Sequence, residues 1–134
     1  MDIISKERRS WNMSRIRNKD TVPEKAVRSA LHKLGFRFRL HRRDLPGKPD
    51  IVLQKYKTVI FVNGCFWHRH PRCKFAYSPK TREDFWQRKF NSNIERAQIV
   101  QQKLRDLGWQ PLVIWECQTE NSQKLMSLLS SLFK

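Results

Sequence analysis

Apolar residues recur every three or four positions from Val22 to Leu34 and then alternate with basic ones, and this change of period divides the chain into its elements. Val22, Ala26, Val27, Ala30, Leu31 and Leu34 outline one face of a helix, and Gly35 stops it. Thr21 as N-cap, Pro23 in the first turn and Glu24 at the third helical position form a capping-box start. Phe36-Arg-Phe-Arg-Leu40 has the alternation of a half-buried strand, and Leu45-Pro-Gly-Lys-Pro49 reads as a turn. Asp50–Leu53 and Thr58–Val62 are two further strands joined by the polar turn Gln54–Lys57. Thr81-x-x-Asp84 predicts the cap of a long helix running to about Leu107. Phe90, Ile94, Ala97, Val100 or Gln101, Leu104 and Leu107 form its stripe, and Gly108 its stop. Pro111-Leu-Val-Ile-Trp115 is continuously apolar, as a buried strand is. Leu125, Met126, Leu128, Leu129, Leu132 and Phe133 predict a last helix from Asn121. The expected architecture is α/β, a small mixed sheet flanked by helices. Residues 1–20 are expected to form a basic arm, and residues 21–134 a single domain.

Charge narrows the partner. Twenty-eight Lys and Arg against twelve Asp and Glu give a formal charge of +16, an excess that points to a polyanion rather than a small metabolite. No apolar stretch approaches membrane-spanning length, and the first residues lack the apolar core of a signal peptide. An intracellular nucleic acid is the expected partner, and a membrane is not. The basic residues are spread along the chain, with clusters at Lys6–Arg9, Arg15–Arg17, Arg37–Arg39, His41–Arg43, Arg69 with Arg72 and Lys74, and Arg88–Lys89. Any one cluster reads equally as a solvated face. The aromatics Trp11, Phe66, Trp67, Phe85 and Trp86 lie beside these cations in polar segments, the mixture used for base stacking or wedge insertion.

The cysteines add a metal. Cys65, Cys73 and Cys117 are odd in number, so a disulfide scheme leaves one over. Three thiolates with one imidazole instead complete a closed tetrahedral zinc set. His68 and His70 both lie between the first two cysteines, and spacing barely separates them as the fourth ligand. The other histidine is then free for chemistry. Asp50 opens a strand beside a basic surface, where a carboxylate suits magnesium and phosphodiester cleavage, with an imidazole to deprotonate water. Asp50 after Pro49 also suits a plain turn, and Glu24 a plain helix cap.

Leu45-Pro-Gly-Lys-Pro-Asp-Ile-Val52, Val59-Ile-Phe-Val-Asn-Gly-Cys-Phe-Trp-His68, Thr81-Arg-x-x-Phe-Trp86, Asn93-Ile-Glu-Arg96 and Trp115-Glu-Cys117 resemble the very short patch repair (Vsr) endonucleases. Arg9-Ser-Trp-Asn-Met-Ser-Arg-Ile16 looks like their N-terminal arm. The resemblance implies a restriction-endonuclease-like core of the PD-(D/E)xK type. It also implies a nick 5′ to the thymine of a T·G mismatch, the product of 5-methylcytosine deamination. Carried onto this chain, Asp50 binds magnesium, helped by the backbone carbonyl of Val62, His68 is the general base, and Glu24 supports the surrounding water network. Cys65, His70, Cys73 and Cys117 hold the zinc, which resolves the choice in favour of His70. Phe66, Trp67 and Trp86 enter the duplex beside the mismatch, and Met13 inserts from the other groove, with Arg15 and Lys89 among the basic residues facing DNA. A mispaired step is cheaper to unstack, so insertion helps select the lesion. The resemblance also implies a bacterial, cytoplasmic protein, nucleoid-associated when on DNA. A monomer is expected because one nick needs one active site. Mismatch-repair proteins and a cognate cytosine-5 methyltransferase are the implied associates.

Two positions depart from the family pattern. Asn63 stands where a second histidine is common, and Asn hydrogen-bonds but takes no proton. Ala97 replaces an acidic residue. Two other readings share the same residues: a zinc-stabilised binder of distorted DNA that does not cut, and a nuclease of this fold aimed at another lesion.

Overall fold

The computed structural model describes residues 21–66, 68–74 and 76–133. The basic arm, with Met13 and Arg15, and the side chain of Trp67 lie outside the described residues. The order is α1 (Val22–Lys33), β1 (Arg39–Leu40), β2 (Ile51–Leu53), β3 (Thr58–Asn63), α2 (Glu83–Asp106), β4 (Gln110–Trp115) and α3 (Ser122–Leu132). The four strands form one sheet in the order β1-β2-β3-β4. β1, β2 and β3 pair antiparallel, while β4 runs parallel to β3 after the α2 crossover. This is the small mixed α/β arrangement expected from the pattern.

Helix starts and stops follow local chemistry. The Thr21 side chain accepts a hydrogen bond from the Glu24 N–H at 3.3 Å, and Asn121 does the same for Lys124 at 3.0 Å. α1 and α2 end alike. Gly35 donates to His32 and Phe36 to Leu31; Gly108 donates to Arg105 and Trp109 to Leu104. Both are the paired closure that satisfies the last carbonyls of a helix.

The sheet is covered on both faces. Val27, Ala30 and Leu31 of α1 and Leu125 and Leu129 of α3 pack with Ile51, Leu53, Ile60 and Ile114. Val52 and Val59, the alternate residues of the same strands, pack with Leu45, Leu104 and Trp109 in a second cluster. Period-two alternation thus sends β2 and β3 each into two cores, which explains why β2 is fully buried along its length.

Four local expectations change. The strand expected over residues 36–40 is only Arg39–Leu40, because Phe36 and Phe38 pack against the α1/α3 core without joining the ladder. The N-cap of α2 is Arg82 in a left-handed conformation, without a side-chain cap, rather than Thr81. Leu107 is 60% exposed, since it follows the last turn of α2 and swings off the stripe. Val22, at the first position of α1, is likewise 81% exposed.

Candidate active site and metal centre

Strand directions bring distant residues to one end of the sheet. β2 is antiparallel to β3, so its start lies beside the end of β3, and β4 finishes at the same end. Asp50 immediately precedes β2, Asn63 ends β3, and Trp115 ends β4. The regular β2–β3 pairing stops at Ile51 with Ile60, and the Asp50 carboxylate extends the connection by accepting from the Val62 N–H at 2.7 Å.

Glu24, in the first turn of α1, approaches the same point. It is 2% exposed, and its Oε2 accepts from Arg28 Nη2 at 3.1 Å. His41 Nε2 lies 3.2 Å from that oxygen. One ligand atom from each of Glu24, His41 and Asp50 falls within 4.8 Å of the others. Burial pushes the Asp50 carboxyl up to about 7; the Val62 N–H opposes this, and the charge of Glu24 adds to it. Two carboxylates crowded in a half-dry site are eased by a proton or a cation. Their oxygen donors suit magnesium, whereas the His41 nitrogen does not.

A second cluster sits beyond the strand ends. Ligand atoms of Cys65, His70, Cys73 and Cys117 also lie within 4.8 Å of one another. His70 Nδ1 is 3.6 Å from Cys65 Sγ and 3.4 Å from Cys117 Sγ. The His70 ring stacks on Trp115 at 4.2 Å, and the Cys65 N–H donates to Glu116 Oε1 at 3.2 Å. Glu116 and Trp115 therefore fasten the loop to the end of β4 and orient its imidazole. Burial pushes the Cys65 thiol up to about 12 and raises that of Cys117. Thiols this crowded ionise when a cation shares them, and the donor set matches a closed tetrahedral site.

His68 lies on the same loop, its N–H donating to the Gly64 carbonyl at 3.2 Å. It is half-buried, and burial lowers its pKa. Its Nδ1 is buried without a hydrogen-bond partner among the described residues. A neutral imidazole is able to accept a proton.

The remaining sequence candidates are divided. Phe66 and Trp86 meet at 5.6 Å edge to face, and Phe66 also touches Tyr77 and Phe90. Arg69 spans this group, its guanidinium 4.2 Å from the Phe90 ring and donating to the Tyr77 carbonyl at 3.0 Å. Lys89 is exposed on α2. His41, Arg28, Arg69 and Tyr77 were not expected at these positions. His41 is visible in the sequence only as part of a basic cluster, and no spacing rule leads from it to Glu24.

No helix among the described residues is long and apolar enough to cross a membrane. The family model described as DNA mismatch endonuclease Vsr matches residues 1–74. The chain is 46% identical over 131 residues to "Type II nicking enzyme V.XorIIP" of Xanthomonas oryzae, covering 98% of this chain and 96% of that protein. It is 42% identical over 124 residues to "DNA mismatch endonuclease Vsr" of Escherichia coli, covering 92% of this chain and 79% of that protein. A further relative, "Type II nicking enzyme V.NmeAIP" of Neisseria meningitidis, is 43% identical over 120 residues, or 90% of this chain and 85% of that protein. With its mixed sheet and its two clusters of ligating side chains, the chain belongs to the Vsr family of DNA mismatch endonucleases.

Proposed function

We propose that the chain nicks duplex DNA 5′ to the thymine of a T·G mismatch, on that strand alone, using magnesium at a restriction-endonuclease-like core. The observation that carries this is the convergence of Asp50 and Glu24 where β2 begins, with Asp50 tied to the residue next to Asn63. Asp50 and the Val62 carbonyl are the groups that would hold magnesium, with Glu24 supporting the water network around it. When bound, that ion would polarise the scissile phosphate and stabilise its developing charge. His68 accepts the proton of the attacking water, and burial favours the neutral ring that this task needs. Asn63 contributes hydrogen bonds in place of the histidine common in the family, so the proton passes to His68 alone.

Cys65, His70, Cys73 and Cys117 would hold structural zinc, which braces the loop that presents His68. Phe66 and Trp86 supply stacking surface on the flank of α2, joined by Trp67 and by Met13 of the arm, which with Arg15 and Lys89 faces the duplex. The formal charge of +16 supports broad contact with phosphates, while the aromatic group supplies the preference for an unstacked step. The chain works as a monomer in the bacterial cytoplasm, next to mismatch-repair proteins and a cytosine-5 methyltransferase.

The test is a strand-labelled nicking assay on matched, T·G and other mismatched duplexes, with Asp50→Ala as the comparison. The expected result is a nick confined to the thymine strand of T·G, absent in Asp50→Ala while duplex binding persists. Equal cleavage of every duplex would favour a nuclease with another target. Binding without any nick would favour a non-cutting reader of distorted DNA.

A further inference from the structure

His41 lies just past the two-residue strand β1, and its main chain is doubly constrained. Its N–H donates to the Asp50 carbonyl at 3.3 Å, carrying the β1–β2 pairing one residue further. Its φ is +49°, a left-handed conformation that a residue with a Cβ adopts at a cost and that recurs at functional sites. The imidazole beyond this kink meets the Glu24 carboxylate, which with Thr58 is one of two buried polar or charged residues among the described residues.

Two nitrogens converge on one carboxylate oxygen. Arg28 Nη2 is 3.1 Å from Glu24 Oε2 and His41 Nε2 is 3.2 Å from it, with 3.3 Å between the nitrogens. Arg28 comes from one turn later on α1 and His41 from across the sheet edge, so the oxygen is held from two directions. We infer that His41 is a positioning residue: with Arg28 it clamps Glu24 Oε2 and so fixes the Glu24 carboxylate against Asp50. Magnesium takes oxygen donors, and an imidazole already engaged with Glu24 acts through that carboxylate rather than on the ion. This inference rests on the proposed nuclease reading. In a site where Asn63 offers no second imidazole, His41 brings one into contact with Glu24.

The experiment uses the full chain, a T·G duplex under single-turnover conditions and a magnesium titration. His41→Asn tolerates the left-handed backbone but is too short to reach Glu24; His41→Gln restores a donor at similar reach. His41→Asn should slow nicking roughly 10- to 100-fold and raise the half-saturating magnesium concentration, with duplex affinity in calcium within about twofold of wild type. His41→Gln should recover most of the rate. Added to Glu24→Gln, His41→Asn should cost nothing more, because its effect passes through Glu24. Wild-type nicking by His41→Asn, or full additivity with Glu24→Gln, would overturn the inference. So would a failed rescue by His41→Gln together with a lost response to manganese, which would make His41 a direct ligand. Should the wild-type chain nick no duplex, the functional reading fails separately. The manganese-induced shift in Tm then decides for His41: a smaller shift in His41→Asn, restored in His41→Gln, supports the clamp, and equal shifts in all three overturn it.

Discussion

The Asp50 carboxylate accepts a hydrogen bond from the Val62 N–H at 2.7 Å, joining the residue before β2 to the residue that precedes Asn63, Gly64 and Cys65. One bond therefore couples the acidic cluster to the strand that leads into the cysteine loop. Displacement of either segment would misalign both, and each can be perturbed separately.

Asp50 is the source of a pH effect in metal-free protein. An ordinary Asp ionises near 3.9, whereas in the folded chain burial and Glu24 push this carboxyl up to about 7. Between these values the folded state holds the proton more tightly than the unfolded state, so stability falls as pH rises from about 4 to about 7. Asp50→Asn removes that penalty. Paired thermal melts in chelator should show the Asn variant gaining on wild type across this window, and millimolar magnesium should narrow the gap at pH 7. A constant difference across the window would count against a raised Asp50 pKa.

Cys117 follows the end of β4 and its Sγ lies 3.4 Å from His70 Nδ1, so as the proposed fourth zinc ligand it would tie the loop to that strand. Cys117→Ser should lose bound metal and lower Tm, since structural zinc contributes directly to folding free energy. Elemental analysis with calorimetry checks both. Wild-type protein carrying far less than one zinc per chain would remove the proposed ion.

Gly47 has φ +74°, and a Cβ there would clash with the Val100 side chain of α2. The turn before Asp50 therefore packs directly on that helix, which only glycine permits. Gly47→Ala should destabilise by about 1–3 kcal/mol through strain and overpacking, measured by urea denaturation. An unchanged midpoint would mean that the turn moves freely away from α2.

Phe66 and Trp86 share one aromatic group, so their effects on DNA should be coupled. Trp86→Ala should reduce the ratio of T·G to matched affinity more than it reduces matched affinity, whereas Lys89→Ala should chiefly flatten the salt dependence. Fluorescence anisotropy at two salt concentrations separates the outcomes. An unchanged affinity ratio in Trp86→Ala would exclude it from mismatch selection.

Periodicity, caps and glycines were enough to read most elements, because each depends on residues within a turn or two. The Thr21 and Asn121 caps, the closures at Gly35 and Gly108, and the paired cores under β2 and β3 all follow from such local rules. The three cysteines were equally legible as one set, since an odd count fits no disulfide scheme; spacing left His68 and His70 open as the fourth member, and in the fold His70 joins the three thiols.

What the chain could not disclose without folding is which strand ends meet. The antiparallel β2–β3 pairing and the parallel return of β4 decide that Asp50, Asn63 and Cys117 share one end of the sheet. Glu24 shows why this matters. Its backbone N–H serves the cap, as local rules require, while its side chain turns to Arg28, His41 and Asp50. Sequence spacing sets what a residue does for its own helix. The partners of its carboxylate come from other elements, and packing alone brings them within reach.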